Sequence, residues 1–325
     1  MRVKKYLILT VFLVITVFLP IEAEEKESNS RTQVLLEQLY SSDRNVQVRA
    51  ARELKYYSTP KVINALSGVA LNKNFDSVVR RVALRSLGDI ADPMAVPTVL
   101  SIIDSSEVNL KVEAMGAAVN FSTPTLHKKI LENTGADNPL VRQKAILYLS
   151  RIEKLPDGFE LKEVLLSKLK DIHVGVRKNT VKVIEKQNIE ELIPSLGVWL
   201  EEENSEIVRI QIVKSLGVLG GEAVHEILRK ALLDSSPIVR ITAALSLAEL
   251  GSRAGLNEAT TAIKSADAPI RVKACRVMGL VGSDNIIFFL EQAVQDYDTR
   301  VQRAARQALN KVKVRLKERD NKYKE

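Results

Sequence analysis

The side chains best able to hold a metal or attack a substrate are few in this 325-residue chain: three histidines, His127, His173 and His225, and one cysteine, Cys275. His225 stands next to Glu226, the one His-Glu pair. A two-metal site needs more ligands than three scattered histidines supply. A nucleophilic cysteine needs a base or an electropositive setting to form its thiolate, and no histidine stands near Cys275 in sequence. Its expected place is a buried apolar position. No Gly-rich phosphate loop, Ser-His-Asp set or Cys-x-x-Cys pair occurs. The single tryptophan, Trp199, offers no row of stacking platforms for nucleic-acid bases. The expectation is that no residue serves catalysis, a cofactor or a metal, and that the chain is not an enzyme.

What the chain does have is repetition. An apolar–Arg–x–x–small pattern puts anchors at Ala50, Ala83, Ala114, Ala145, Thr180, Ile212, Ala243, Ala274 and Ala305. The gaps are 33, 31, 31, 35, 32, 31, 31 and 31 residues. A near-constant period of this size marks a solenoid of stacked supersecondary units. Four positions before each anchor stands an apolar residue, such as Val79, Val208 or Val239, and four after it another, such as Leu87, Leu216 or Leu247. Spacing of four keeps these side chains on one helical face. Asp43, Asp76, Asn138, Ser205, Ser236, Asp267 and Asp298 stand where the helix begins and can accept from first-turn N–H groups; Glu107 and His173 break that series. A preceding helix is predicted in each repeat, near 32–41, 60–72, 94–104, 124–134, 159–170, 189–201, 222–233, 253–265 and 284–295. Pro60, Pro93 and Pro124 sit where a first helical turn tolerates proline. Pro156-Asp157-Gly158 makes the longest connection, which accounts for the 35-residue gap.

The stretches D-S-V-V-R-R-V-A-L-R-S-L-G at 76–88 and S-S-P-I-V-R-I-T-A-A-L-S-L at 235–247 carry a resemblance to the HEAT-repeat family in its short form, as in the PBS-lyase-type repeats. The resemblance covers 32–319. It implies an all-α, right-handed α-solenoid of about nine helix pairs, armadillo-like, with the Val-Arg helix second in each pair and facing the inside of the curve. Some enzymes share such repeats. Deoxyhypusine hydroxylases bind iron through several His-Glu pairs, where this chain has one; DNA glycosylases and phycobilin lyases lend the fold and not the activity.

Residues 1–23 stand apart. Arg2, Lys4 and Lys5 precede an apolar run from Leu7 to Leu19, and Ala23 is a small residue suited to a cut. This reads as a secretory signal peptide, giving a periplasmic or secreted protein. Residues 24–31 read as a flexible leader, 32–319 as the repeat solenoid and 320–325 as a disordered basic tail. The last helix, starting near Thr299, has a basic outer face that includes Arg303, Arg306, Lys311, Lys313, Arg315, Lys317 and Arg319, suited to a polar cap on the array.

Two charge patterns follow the repeat. Arg80, Arg142, Arg177, Arg209, Arg240 and Arg271 follow the apolar residue, with Lys111 once and Gln47 and Gln302 at the ends. In the family this arginine lies near the turn between helices, so the expectation is a structural ladder of paired, partly buried side chains, with Asp76, Asp171 and Asp267 as natural partners. Two positions after the anchors stand Arg52, Arg85, Lys182, Lys214 and Arg276, with Arg81 and Lys178 one turn earlier on the same face. Gly116 and Leu147 leave a neutral gap in that row. These seven basic residues are expected to form a concave stripe for a protein partner with acidic patches. The alternative is an anionic polymer or membrane surface, held by the concave and C-terminal basic residues. Nucleic acid is not expected. The chain thus reads as an exported, non-catalytic scaffold, with the partner and the oligomeric state left open.

Overall fold

The computed structural model describes residues 29–152 and 160–322, the side chains of 320–322 excepted. Among these residues the secondary structure is helical throughout, with no strand. The signal segment 1–23, most of the leader, the Pro156–Gly158 connection and the end of the tail lie outside the described residues. The helices group into two compact units, divided between Asp157 and Gly158.

The first unit holds four pairs: α1 (29–39) with α2 (Arg44–Glu53), α3 (Pro60–Leu71) with α4 (Ser77–Ile90), α5 (Val96–Ile103) with α6 (Val108–Ala118), and α7 (Pro124–Glu132) with α8 (Pro139–Leu149). The second unit holds five: α9 (Leu161–Leu169) with α10 (Val174–Lys186), α11 (Ile193–Glu202) with α12 (Glu206–Leu219), α13 (Glu222–Ala231) with α14 (Pro237–Glu249), α15 (Leu256–Ala262) with α16 (Ala268–Val281), and α17 (Ile287–Ala293) with α18 (Thr299–Lys322). All nine anchors are fully buried and fall on the second helices, α2, α4, α6 and onward to α18. The apolar residues four before them are buried too, except Val46, which is half-buried.

Residues 29–31, inside the stretch read as a flexible leader, are helical. The physical reason is local. Leu35, Leu36 and Leu39 are buried, and Arg31 donates to Glu53 of α2 at 2.7 Å, which holds the first turn in place.

Within each unit, successive second helices pack closely on one another, while the first helices touch each other far less. The close approach has a compositional cause. A Cβ added to Gly88 of α4 would stand 2.7 Å from Ala117 Cα of α6, and one on Gly279 of α16 2.8 Å from Ala308 Cα of α18. Small residues five past the anchor of one repeat thus face small residues three past the anchor of the next. Polar groups tie the same seam: Ser86 Oγ donates to the Ala51 carbonyl at 2.7 Å, and Ser246 Oγ to that of Val213 at 3.2 Å.

The helix starts follow the expected series in part. Asp43, Asp76, Asn138 and Asp298 accept first-turn N–H groups. His173, read as a break, also caps, its Nδ1 accepting from the Gly175 N–H at 3.2 Å. Ser205 and Ser236 make no side-chain cap bond. A carboxylate two residues earlier accepts their own N–H instead: Glu203 from Ser205 at 2.7 Å, Asp234 from Ser236 at 2.8 Å.

Candidate functional site: the second-helix face

The residues of catalytic type do not gather. His127 is buried on α7 with its Nε2 unpartnered, His173 caps α10, and His225 lies half-buried on α13. No three His, Cys, Asp or Glu side chains among the described residues are placed to share a metal ion. Trp199 lies on the first helix α11 and donates to Glu203 at 3.2 Å. Cys275 is fully buried on α16, and burial pushes its thiol up to about 12. A native-state thiol assay at pH 8 is therefore expected to leave Cys275 unlabelled until urea is added; stoichiometric labelling of the folded chain would refute this placement.

The recurrent arginines sit at the turns between helices, and their geometry repeats. Arg177 Nε and Nη2 donate to both carboxylate oxygens of Glu203 at 2.7 Å each, while Nη1 donates to the Asp171 and Ile172 carbonyls. Arg209 does the same with Asp234, and Arg271 with Asp296 at 2.7 and 2.8 Å. Arg80 is bidentate to Glu107 in the first unit. Each of these carboxylates lies 25–27 residues downstream, in the loop of the following repeat. The fork of Arg matches a carboxylate in two parallel bonds, which Lys cannot do.

The acidic partners named from sequence need correction. The side chain of Asp76 instead pairs with Arg44, and Asp171 offers Arg177 its backbone carbonyl. At the 25-residue offset that Arg209 and Arg271 use stands Ser265, and Arg240 pairs with Glu258 of α15 at 3.1 Å rather than with Asp267. At the same offset from the anchors of α2 and α18 the residue is glutamine instead. Gln47 and Gln302 keep the bond to the carbonyl six residues back, both at 2.7 Å. Hydrogen bonding to Arg271 holds the Asp296 carboxyl below the usual range, against the opposing effect of burial. Burial alone would raise Glu203; bonds from Arg177, the Ser205 N–H and Trp199 outweigh it and hold it low.

The seven basic stripe residues also lie on second helices: Arg52, Arg81 and Arg85 in the first unit, Lys178, Lys182, Lys214 and Arg276 in the second. Arg52, Arg85, Lys182, Lys214 and Arg276 are exposed, but Arg81 and Lys178 are half-buried. The row is less purely basic than its positions imply. Arg85 is bidentate to Glu113 of α6 at 3.0 and 3.1 Å, and Arg276 pairs with Glu249 of α14 at 3.2 Å. Of the two residues read as a neutral gap, Gly116 is covered: an added Cβ there would meet the Tyr148 hydroxyl at 2.9 Å.

Lys273, one position before its anchor, escaped the sequence reading. It is half-buried on α16, and burial pulls its ammonium below the usual lysine range, with Lys214 and Arg276 adding to the effect and Glu249 opposing it. Three cations on α12 and α16 therefore feel one another. Beside them a groove of about 360 Å³ runs between α16 and α18, floored by Val272, Leu280, Ala304 and Ala308. Arg276, Arg300, Arg303 and Lys311 line it. The sequence signal for it is a second four-spaced row, Val272-Arg276-Leu280, two positions off the anchor row. Arg315, read as part of a free basic face, instead donates to the Gly279 and Gly282 carbonyls at 2.6 Å and caps α16.

The HEAT repeats family profile matches residues 32–111 and 162–248, a little over half of the chain. The chain belongs to the HEAT-repeat family. Among solved structures, this HEAT-repeat chain is similar to the Escherichia coli protein YibA, with a TM-score of 0.59 and 15% identity over 84% of this chain and 97% of that one. It is similar to Kap95p in a structure with RanGDP, with a TM-score of 0.61 and 13% identity, covering 86% of this chain and 45% of that one. A chain of the AP-3 complex gives 0.59 and 16%, covering 83% and 55%. At these identities the likeness is one of fold, the α-solenoid. No curated protein matches the sequence at a significant level.

Proposed function

We propose that this chain is an exported, non-catalytic HEAT-repeat scaffold that binds a protein partner along its second-helix face. The observation that carries the reading is the basic row of the second unit. Lys182, Lys214 and Arg276 hold one repeat position on second helices, are exposed, and are joined by Lys273. Lys214, Lys273 and Arg276 act on one another against Glu249, and an acidic partner would relieve that repulsion, its approach sped by the field of the row. The fold is consistent with this use, since stacked repeats present extended binding surfaces. The structures of Kap95p with RanGDP and with Nup1 are of solenoids bound to proteins. Export rests on the basic, apolar and small-residue pattern of residues 1–23.

The test is affinity capture from the exported fraction with the chain as bait, followed by association kinetics with the captured partner. Reversal of both Lys182 and Lys214 to Glu is expected to slow association about tenfold and leave the melting curve in place. Reversal of the exposed Lys170, at the end of the first helix α9, is the control and is expected to change little. Equal effects from the two would remove the second-helix face from the interface. Binding that collapses steeply with added salt, for polyphosphate as for the partner, would favour the anionic-polymer reading instead.

A further inference from the structure

The groove between α16 and α18 joins charges of the basic face to an apolar floor. Val272 and Leu280 lie one turn to either side of Arg276 on α16, and Ala304 and Ala308 lie opposite on α18. Its cations are unequally engaged. Arg276 is held by Glu249, and Arg300 by Asp298 at 2.6 Å. Arg303 and Lys311 are exposed and have no ion-pair partner among the described residues. They stand eight residues apart on α18, about two turns, on the same side of the helix. The rise of eight helical residues separates their backbone positions by roughly 12 Å along the axis, a span that an extended peptide covers in about four residues.

A simple polyanion would use these charges and waste the floor. It would also meet Glu249, whose carboxylate closes the α14 end of the groove. A peptide that alternates carboxylates with aliphatic side chains uses both features, because apolar area leaves water only when there is an apolar surface to cover. We infer that this groove seats an acidic, leucine-bearing segment of the protein partner, its carboxylates on Arg303 and Lys311 and its aliphatic side chains over Val272 and Leu280. This rests on the reading of the second-helix face as the partner surface, and it narrows that reading to one pair of helices.

The experiment titrates the full chain into a fluorescein-labelled poly(Glu-Glu-Leu) peptide and follows anisotropy. A poly(Glu-Glu-Ser) peptide and inorganic polyphosphate are the comparison probes. The leucine peptide is expected to bind about tenfold tighter than the serine peptide, in line with the loss of about two buried methylene groups. Reversing both Arg303 and Lys311 to Glu is expected to weaken it by about tenfold or more. The K182E/K214E pair, on the same face but outside the groove lining, is expected to weaken it less than R303E/K311E does. The neutral pair R303Q/K311Q gives the same readout should the double reversal disturb α18. No binding of the leucine peptide to the wild-type chain would overturn the inference. So would equal binding of the serine peptide and polyphosphate, which would make the groove a polyanion site. Loss with K182E/K214E but not with R303E/K311E would overturn the groove and leave the wider face standing. Indifference to both pairs would overturn both.

Discussion

Replacing Arg271 by alanine is expected to destabilise the second unit by about 3 kcal/mol, the low end for breaking a buried pair because its turn lies at the water's edge. The guanidinium is 4% exposed and its partner Asp296 11%. Alanine would leave that carboxylate desolvated with its strongest donor gone. It would also remove the Nη1 donor from the Ser265 and Ala266 carbonyls, now at 2.8 and 2.9 Å, leaving Ala266 only the Tyr297 hydroxyl at 3.2 Å. The stack of the guanidinium on Tyr297, 4.5 Å from the ring centroid, is lost as well. Arg271→Lys should fall between the two, since it keeps the charge and loses the fork. The pH dependence has a definite sign. Asp296 is depressed in the folded state. Its contribution is therefore present above the unfolded carboxyl value, near 4, and is lost as pH falls through the lower folded value. The wild-type chain should lose stability on acidification below about pH 4, and Arg271→Ala should show a shallower acid limb. Urea unfolding at pH 7 and pH 3 measures both. A midpoint unchanged at pH 7 would show that the pair contributes nothing.

Gly88→Val is the other large effect, also about 3 kcal/mol of destabilisation, at the upper end for overpacking a close seam. The contact atom is backbone: Ala117 Cα stands 2.7 Å from the position a Cβ would take, so no side-chain rotation relieves it. Helix α4 or α6 must shift, and each carries buried neighbours on both sides. The contrast is Gly68 on α3, where a Cβ meets nothing within 4 Å. Gly68→Ala should stabilise by roughly 0.5–1 kcal/mol through helix propensity and a less free unfolded chain. Thermal melts of the two variants should therefore move in opposite directions. Parallel shifts would mean that the second helices are not in the close register described.

The period was legible because burial of the anchor leaves a mark that sequence carries directly. Ala83, Ala243 and Ala274 are small because another helix presses on them, and the apolar residues four away share that face. The nine pairs and their family follow from this. Half of the ladder was legible for the same reason: the arginines keep a fixed offset from the anchors. Their acceptors were not, because a loop acid can stand at Glu107, Glu203, Asp234 or Asp296 with an offset that varies by two residues, and once on α15 at Glu258. The basic row was legible as positions and not as charge. Glu113 and Glu249 lie on neighbouring helices at offsets the repeat does not dictate, and they partly neutralise Arg85 and Arg276. The groove needed the pairing of α16 with α18, which no single repeat contains.

The ladder is also directional. In the bidentate rungs the arginine of one repeat is completed by an acid that the next repeat brings, never by the one before. A unit spliced into such a row must offer an acid to its predecessor and an arginine to its successor. A unit lacking either leaves a lone charge at the join. Gln47 and Gln302 are blank rungs in this sense, neutral and bonded to the carbonyl six residues back. A repeat designed to stack on α18 would therefore begin by changing Gln302 to arginine, and by placing an acid about 25 residues beyond it, the offset that Arg209 and Arg271 use.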